Sequence, residues 1–189
     1  MEGTEPVNAR PKAPALLAAS GRAREALPHL LATCLVLAGF FLPWMDGASV
    51  FALRSFSGFD FARLLRNLEI AADSPGDRGQ ITATAVAIYL VPALAVNAAV
   101  LSQLSASVKP LRHAAGVAHL VAGAYCLALL TFILLLSITP INDFSRVVGA
   151  PSWGFWLTLS GALGLAMLGV RALRRSFASA ASVRSLPPQ

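Results

Sequence analysis

Apolar residues gather along this chain in four long blocks, Leu27–Met45, Ile81–Leu104, Ala114–Ile138 and Trp153–Leu173, free of charge except for Arg171 near the end of the last. A helix needs about 20 residues to cross the hydrocarbon core of a bilayer, and each block meets that length. The pattern predicts an all-α fold: an integral membrane, antiparallel four-helix bundle spanning residues 27–173. Residues 1–26 and 174–189 are polar, contain proline and lack sustained periodicity, so they are expected as flexible tails. Nothing before Leu27 has the form of a cleavable secretory signal, and the first block is expected to remain as a span.

Between the first two blocks lies an outer loop, Gly47–Gln80, with patterning of its own. Val50–Phe56 is partly β-prone and is expected as an extended piece. Ser57-Gly58-Phe59-Asp60 has the form of a helix start, with Ser57 or Asp60 able to cap the free N–H groups. From there Phe61, Leu64, Leu65, Leu68 and Ala72 recur at helical spacing, while Arg63, Arg66, Asn67 and Glu69 fall largely on the other side. An amphipathic surface helix is predicted, lying over the outer end of the bundle and ended by Ser74-Pro75-Gly76.

Leu42-Pro43-Trp44 at the end of the first span, followed by Ser57-Gly58-Phe59-Asp60, resembles a pattern found in small four-helix inner-membrane proteins of bacteria. The layout is also similar to that of claudin-type four-span proteins, with termini inside, a large first outer loop and a surface helix before span two. Paired loop cysteines and a Trp-containing motif mark claudins, and both are missing here, so a barrier-forming role is not implied.

Charge changes the picture by giving the bundle a direction. The net charge is +6, yet the basic residues flank the spans and form no folded patch, which argues against nucleic acid as a partner. The N-terminal segment, the loop after span two and the C-terminal segment hold ten Lys and Arg residues, against five in the other two loops. The positive-inside rule then places both termini in the cytoplasm of a bacterial inner membrane. Trp44, Trp153 and Trp156 all fall at the opposite, outer interface, where an aromatic belt is expected. Arg171, Arg174 and Arg175 are expected to meet anionic lipid on the inner side.

Candidate chemistry is sparse. The span cores hold no Asp, Glu, Lys or Arg, which disfavours proton-coupled carriers and ion channels. At roughly 1.5 Å per residue, Cys34, Asn97 and His119 share one level in the inner third of the membrane, with His29 and His113 nearer the inner interface. These polar residues are a candidate site for a metal, haem or quinone head group, with His119 as ligand or donor. The plainer alternative is an interhelical hydrogen bond that sets packing. No resident metal or cofactor is expected. Cys126 lies deeper than Cys34, too far for a disulfide, and both cysteines read as packing residues.

Small residues mark contact faces where lipid supplies no hydrophobic drive between helices. Gly116, His119, Gly123 and Cys126 share one face of span three, and Ser160 and Gly164 make a small-xxx-small pair on span four. Pro92 is expected to kink span two. Outer-loop acids and inner-side histidines fall on opposite membrane faces, so no catalytic constellation forms and no enzyme is expected. The leading functional expectation is an accessory or structural subunit of a larger membrane assembly. Its partners would be the lipid bilayer and another membrane protein or a second copy of this chain. The contacts expected are Phe61, Leu64, Leu65, Leu68, Trp44, Trp153, Trp156, Gly116, Gly123, Ser160 and Gly164. The alternatives are a cofactor- or quinone-binding protein using His119, Asn97 and Cys34, and a small carrier hinged at Pro92.

Overall fold

The structure is a computed structural model that describes residues 13–47, 55–71, 74–108, 111–138 and 148–184. It is mostly helical. The elements are α1 (Ala13–Phe41), β1 (Pro43–Gly47), β2 (Ser55–Ser57), α2 (Gly58–Ala71), α3 (Pro75–Ser107), α4 (Leu111–Ile138), β3 (Val148–Pro151) and α5 (Trp153–Arg184). Three helices are long and apolar enough to cross a membrane, over Pro75–Ser105, Leu111–Leu135 and Trp153–Ala178, and Ala26–Phe41 within α1 is a shorter apolar helix.

Several helices run past their apolar blocks. Ala13–Ala26 and Arg174–Arg184 are helical where flexible tails were expected. Both stretches are rich in Ala and Arg, which are strong helix formers. At the other end α1 is shorter than its block. It stops at Phe41, and Pro43, Trp44 and Met45 belong to strand β1.

The helix stop has a local cause. Leu42 N–H donates to the Ala38 carbonyl at 3.1 Å, the last bond of the helical series. Pro43 has no N–H to offer Gly39, so that carbonyl is left over. The indole N–H of Trp44 fills the gap, donating to the Gly39 oxygen at 2.9 Å. Trp44 is thereby turned inward and is 1% exposed, not at the surface as an interfacial belt residue would be.

The start of α2 fits beneath this ring. A Cβ on Gly58 would lie 2.6 Å from Cζ2 of Trp44 and 2.9 Å from Phe40, so only glycine lets the helix begin there. Ser57 and Asp60 close a reciprocal capping box. Asp60 N–H donates to Ser57 Oγ at 3.1 Å, and Asp60 Oδ2 accepts from Ser57 N–H at 3.1 Å and from Ser57 Oγ at 2.6 Å. Leu-Pro-Trp and Ser-Gly-Phe-Asp are therefore two halves of one clasp. Asp60→Ala removes the carboxylate half and is expected to cost about 1 kcal/mol, read as a fall in the unfolding midpoint, with Asp60→Asn retaining most of the loss-free value.

The same box recurs at α3. Ser74 is its N-cap and accepts from Asp77 N–H at 3.1 Å, its own hydroxyl donates to Asp77 Oδ2 at 2.6 Å, and Pro75 occupies the first helical positions. Ser74-Pro75-Gly76, expected as a helix stop, thus opens α3 six residues before Ile81.

A small sheet, absent from the sequence expectation, covers this end of the molecule in the order β2-β1-β3. Both pairings are antiparallel, with Met45 opposite Phe56 and opposite Pro151. Ser152 N–H donates to the Trp44 carbonyl at 2.7 Å, tying the start of α5 to the clasp. The extended piece expected over Val50–Phe56 is seen as β2 from Ser55, while Val50–Arg54 lie outside the described residues.

Helices α1, α3, α4 and α5 pack side by side: α5 lies on α1 and α4, and α3 lies on the same two from the other side. The interior combines alanines, among them Ala32, Ala85, Ala95, Ala98, Ala122 and Ala162, with larger side chains such as Val36, Ile88, Leu130 and Leu165. Other large ones face outward, among them Leu31, Val86, Val100, Val121, Phe132, Leu163 and Met167. Glycines set the closest approaches. A Cβ on Gly161 would lie 2.7 Å from Val36 N, and one on Gly169 would lie 2.5 Å from Leu120 N. Helix α2 packs mainly on α3, burying Ala62 with Phe61 and Leu65 at its margins, while Leu68 and Ile70 stay exposed.

Pro92 lies within α3 and leaves the Ile88 carbonyl without its helical donor. The Tyr125 hydroxyl on α4 donates to the adjacent Ala87 carbonyl at 2.8 Å, so a neighbouring helix supports the strand of backbone next to the proline.

Candidate functional site

Polar groups inside an apolar helix assembly are costly unless paired, so the buried ones locate the candidate site. His119 on α4 is 1% exposed. Its Nδ1 lies 2.7 Å from the Ala115 carbonyl, one turn earlier on the same helix. A carbonyl oxygen only accepts, so Nδ1 carries the proton, and in the neutral ring Nε2 presents a lone pair. His29 Nδ1 on α1 lies 3.0 Å from that lone pair. Neutral His29 must then carry its proton on Nδ1, leaving Nε2 as its free acceptor. The rings meet edge to face, with centroids 4.6 Å apart and planes at 71°.

This contact crosses the helix assembly. Helices α1 and α4 each pack on α3 and α5, so they stand diagonally and the two imidazoles reach each other through the middle. Pro28, inside α1, immediately precedes His29 and deletes the N–H that would otherwise bond the Arg24 carbonyl. Gly116 and Gly123 bracket His119 and bring α4 against α5. A Cβ on Gly123 would lie 2.7 Å from the Ala162 carbonyl and 2.8 Å from Ala166 Cα. Gly116 has only side-chain carbons of Ala172 and Leu173 in front of it, at 3.2 Å and beyond.

The residues expected to join His119 do not. Asn97 on α3 and Cys34 on α1 are both exposed on outward faces. They point elsewhere around their helices. Thr33, one turn on from His29, is buried instead, and its hydroxyl has no partner among the described residues. Among the described residues no group of three or more His, Cys, Asp and Glu is placed to hold a metal ion. His113, the third imidazole, is exposed at the start of α4 and meets Phe177 edge to face at 6.0 Å.

The expected contact residues separate into two sets. Trp44, Gly116 and Gly123 are buried, and Gly164 is half-buried with its Cβ position 3.2 Å from Ala32. These are spent on packing within the chain. Trp153, Trp156, Leu68 and Ser160 are exposed, and Phe61, Leu64 and Leu65 are half-buried. His29 is the residue that sequence reasoning assigned to the interface and the structure brings to the centre. Its signal was its spacing, since His29, Thr33, Val36 and Phe40 follow one helical stripe.

Geometrically the pair can pass a proton from His29 Nε2 to His119 Nε2 and no further, because His119 Nδ1 ends on a backbone carbonyl. It offers a hydrogen-bonded link with one titratable edge. Comparison with protein-family models, with curated proteins and with solved structures finds no match to this chain.

Proposed function

We propose that this protein is a non-enzymatic accessory or structural subunit of a larger membrane assembly. In this reading α1, α3, α4 and α5 form an antiparallel four-helix bundle in a bacterial inner membrane, with the sheet and α2 outside and both termini in the cytoplasm. The carrying observation is the apolar character of the outward faces. Leu, Val, Phe and Met stand exposed along the long helices, while the interior packs alanines together with larger apolar side chains. In water such a surface would be an aggregation liability; in a bilayer it suits lipid and neighbouring helices.

Two further features support the reading. The polar groups of the interior largely bond one another or the backbone, as His29, His119, Tyr125 and Thr158 do, which leaves little to bind a transported solute. The clasped outer end presents Trp153, 80% exposed, with Trp156 and Ile70 also exposed, a rim suited to the membrane interface or to a partner's apolar edge.

Purification from native membranes in mild detergent, followed by intact-complex mass spectrometry, tests this. A protein partner in fixed stoichiometry is expected. A lone chain, or a lone chain carrying one defined small molecule, would contradict the subunit reading.

A further inference from the structure

The imidazole pair does more than set packing. We infer that His29 and His119 form a proton-operated latch between α1 and α4, closed with no proton or one proton added and opened by the second. This goes beyond a subunit role and does not depend on it.

The inference follows from the atoms that face each other. With both rings neutral, His29 Nδ1–H donates across 3.0 Å to His119 Nε2, and His119 Nδ1–H donates to the Ala115 carbonyl. The first added proton goes to His29 Nε2, the one ring nitrogen of the pair with no partner among the described residues. The link is kept and becomes charge-assisted, because an imidazolium now donates to a neutral acceptor. A second proton must take the lone pair on His119 Nε2. Two N–H groups and two positive charges then face each other across the same gap, so the rings must part. The Ala115 carbonyl prevents escape by tautomer exchange, since His119 Nδ1 is already protonated.

The titratable groups on the surrounding helices are few among the described residues. On α3, Tyr89 is the one titratable group between Thr82 and Ser107. On α4, Arg112 and His113 are exposed near its start, and Tyr125 and Cys126 lie further along. On α5, Arg171, Arg174 and Arg175 are exposed. On α1, Cys34 is exposed, and Glu25 precedes His29 by one turn of helix. Among the described residues, the hydrogen bonds seen at the two rings are the His29–His119 contact and the bond to the Ala115 carbonyl. Because the open form holds one more proton than the closed form, each unit of pH lowered through that step shifts the balance tenfold toward opening. Helices α1 and α4 each pack mainly on α3 and α5, and the imidazole pair links them across the assembly, so opening the latch removes a polar tie between the two.

Nitrogen-15 NMR of histidine-labelled full-length protein in lipid nanodiscs, titrated from pH 8 to pH 4, reads each ring nitrogen. Two separate steps are expected for the pair. In the first, His29 Nε2 becomes protonated while His119 Nε2 keeps its lone-pair shift; in the second, His119 Nε2 changes. His29→Gln retains a side chain that can donate to His119 and is expected to reduce the pair's behaviour to one step at His119. Glu25→Gln is expected to leave both steps in place. The latch is overturned if His119 takes the first proton, if His119 titrates identically with and without His29→Gln, or if Glu25→Gln abolishes the two-step pattern.

Discussion

Gly123→Ala is expected to lower the unfolding free energy by about 2–3 kcal/mol, the range for forcing extra volume into a packed interior. The added carbon would fall against the Ala162 carbonyl and the Ala166 backbone of α5. Backbone cannot rotate away as a side chain can, so α4 and α5 must separate. The sign and size depend on what stands in front of each glycine, which makes a graded series. Gly161→Ala and Gly169→Ala meet backbone at 2.7 Å and 2.5 Å and belong with Gly123→Ala. Gly116→Ala and Gly164→Ala meet side-chain carbons at 3.2 Å and are expected to cost under about 1 kcal/mol. Gly79→Ala meets nothing within 4 Å on an exposed part of α3 and is expected to stabilise by about 0.5–1 kcal/mol through helix propensity. Steric-trap unfolding in bicelles measures all six. Equal losses at Gly123 and Gly79 would refute the close-approach account of the α4–α5 contact.

Trp44→Ala carries the other large effect, a loss of about 3–5 kcal/mol. The substitution empties the site between Phe40 and Phe155, whose rings lie edge to face with the indole at 5.7 Å and 6.4 Å. It also leaves the Gly39 carbonyl without the donor that replaces the one Pro43 lacks. Trp44→Phe separates the two contributions. It keeps most of the ring volume and drops the N–H, and is expected to cost about 1–3 kcal/mol for the buried acceptor left unpaired. Trp153→Ala, at a residue 80% exposed, is expected to stay within about 0.5 kcal/mol. The same unfolding assay measures these, and a Trp44→Ala loss no larger than that of Trp153→Ala would rule out the clasp.

Length and hydropathy made the long helices legible before any coordinates, and the helix start at Ser57 was legible from its capping residues. The helix start at Ser74 carried the same Ser-x-x-Asp signal, but Pro75 and Gly76 were read as a stop. Proline ends a helix from within and opens one from its first turn, and the aspartate three residues after the serine tells the two apart. The sheet was not legible: its strands are three to five residues long, and β1 pairs with β3 from the far end of the chain. Such contacts leave no local periodicity.

At the candidate site the direction around each helix was not readable, and His29, expected nearer the inner interface than His119, meets it directly. When every face of a helix is apolar, hydrophobicity no longer marks the buried side. On α3 the buried series is Ala85, Ile88, Val91, Ala95 and Ala98, and Asn97 sits one residue off it. On α1 Cys34 is likewise one residue past Thr33. On α4 the stripe of Gly116, His119, Gly123 and Cys126 follows the buried face throughout, because glycine there marks the close approach directly. On α5 the approach runs through Gly161 and Gly169, while Ser160 points outward.

The proposed orientation, which would put the imidazole pair toward the inner side and the sheet outside, is tested directly by cysteine accessibility. In a Cys34→Ser background, Ser182→Cys near the end of α5 and Gln80→Cys near the start of α3 are probed with a membrane-impermeant thiol reagent in intact bacterial cells and in inverted vesicles. Gln80→Cys should react in intact cells and Ser182→Cys only in inverted vesicles. Labelling of Ser182→Cys in intact cells would place the C-terminus outside and contradict the account.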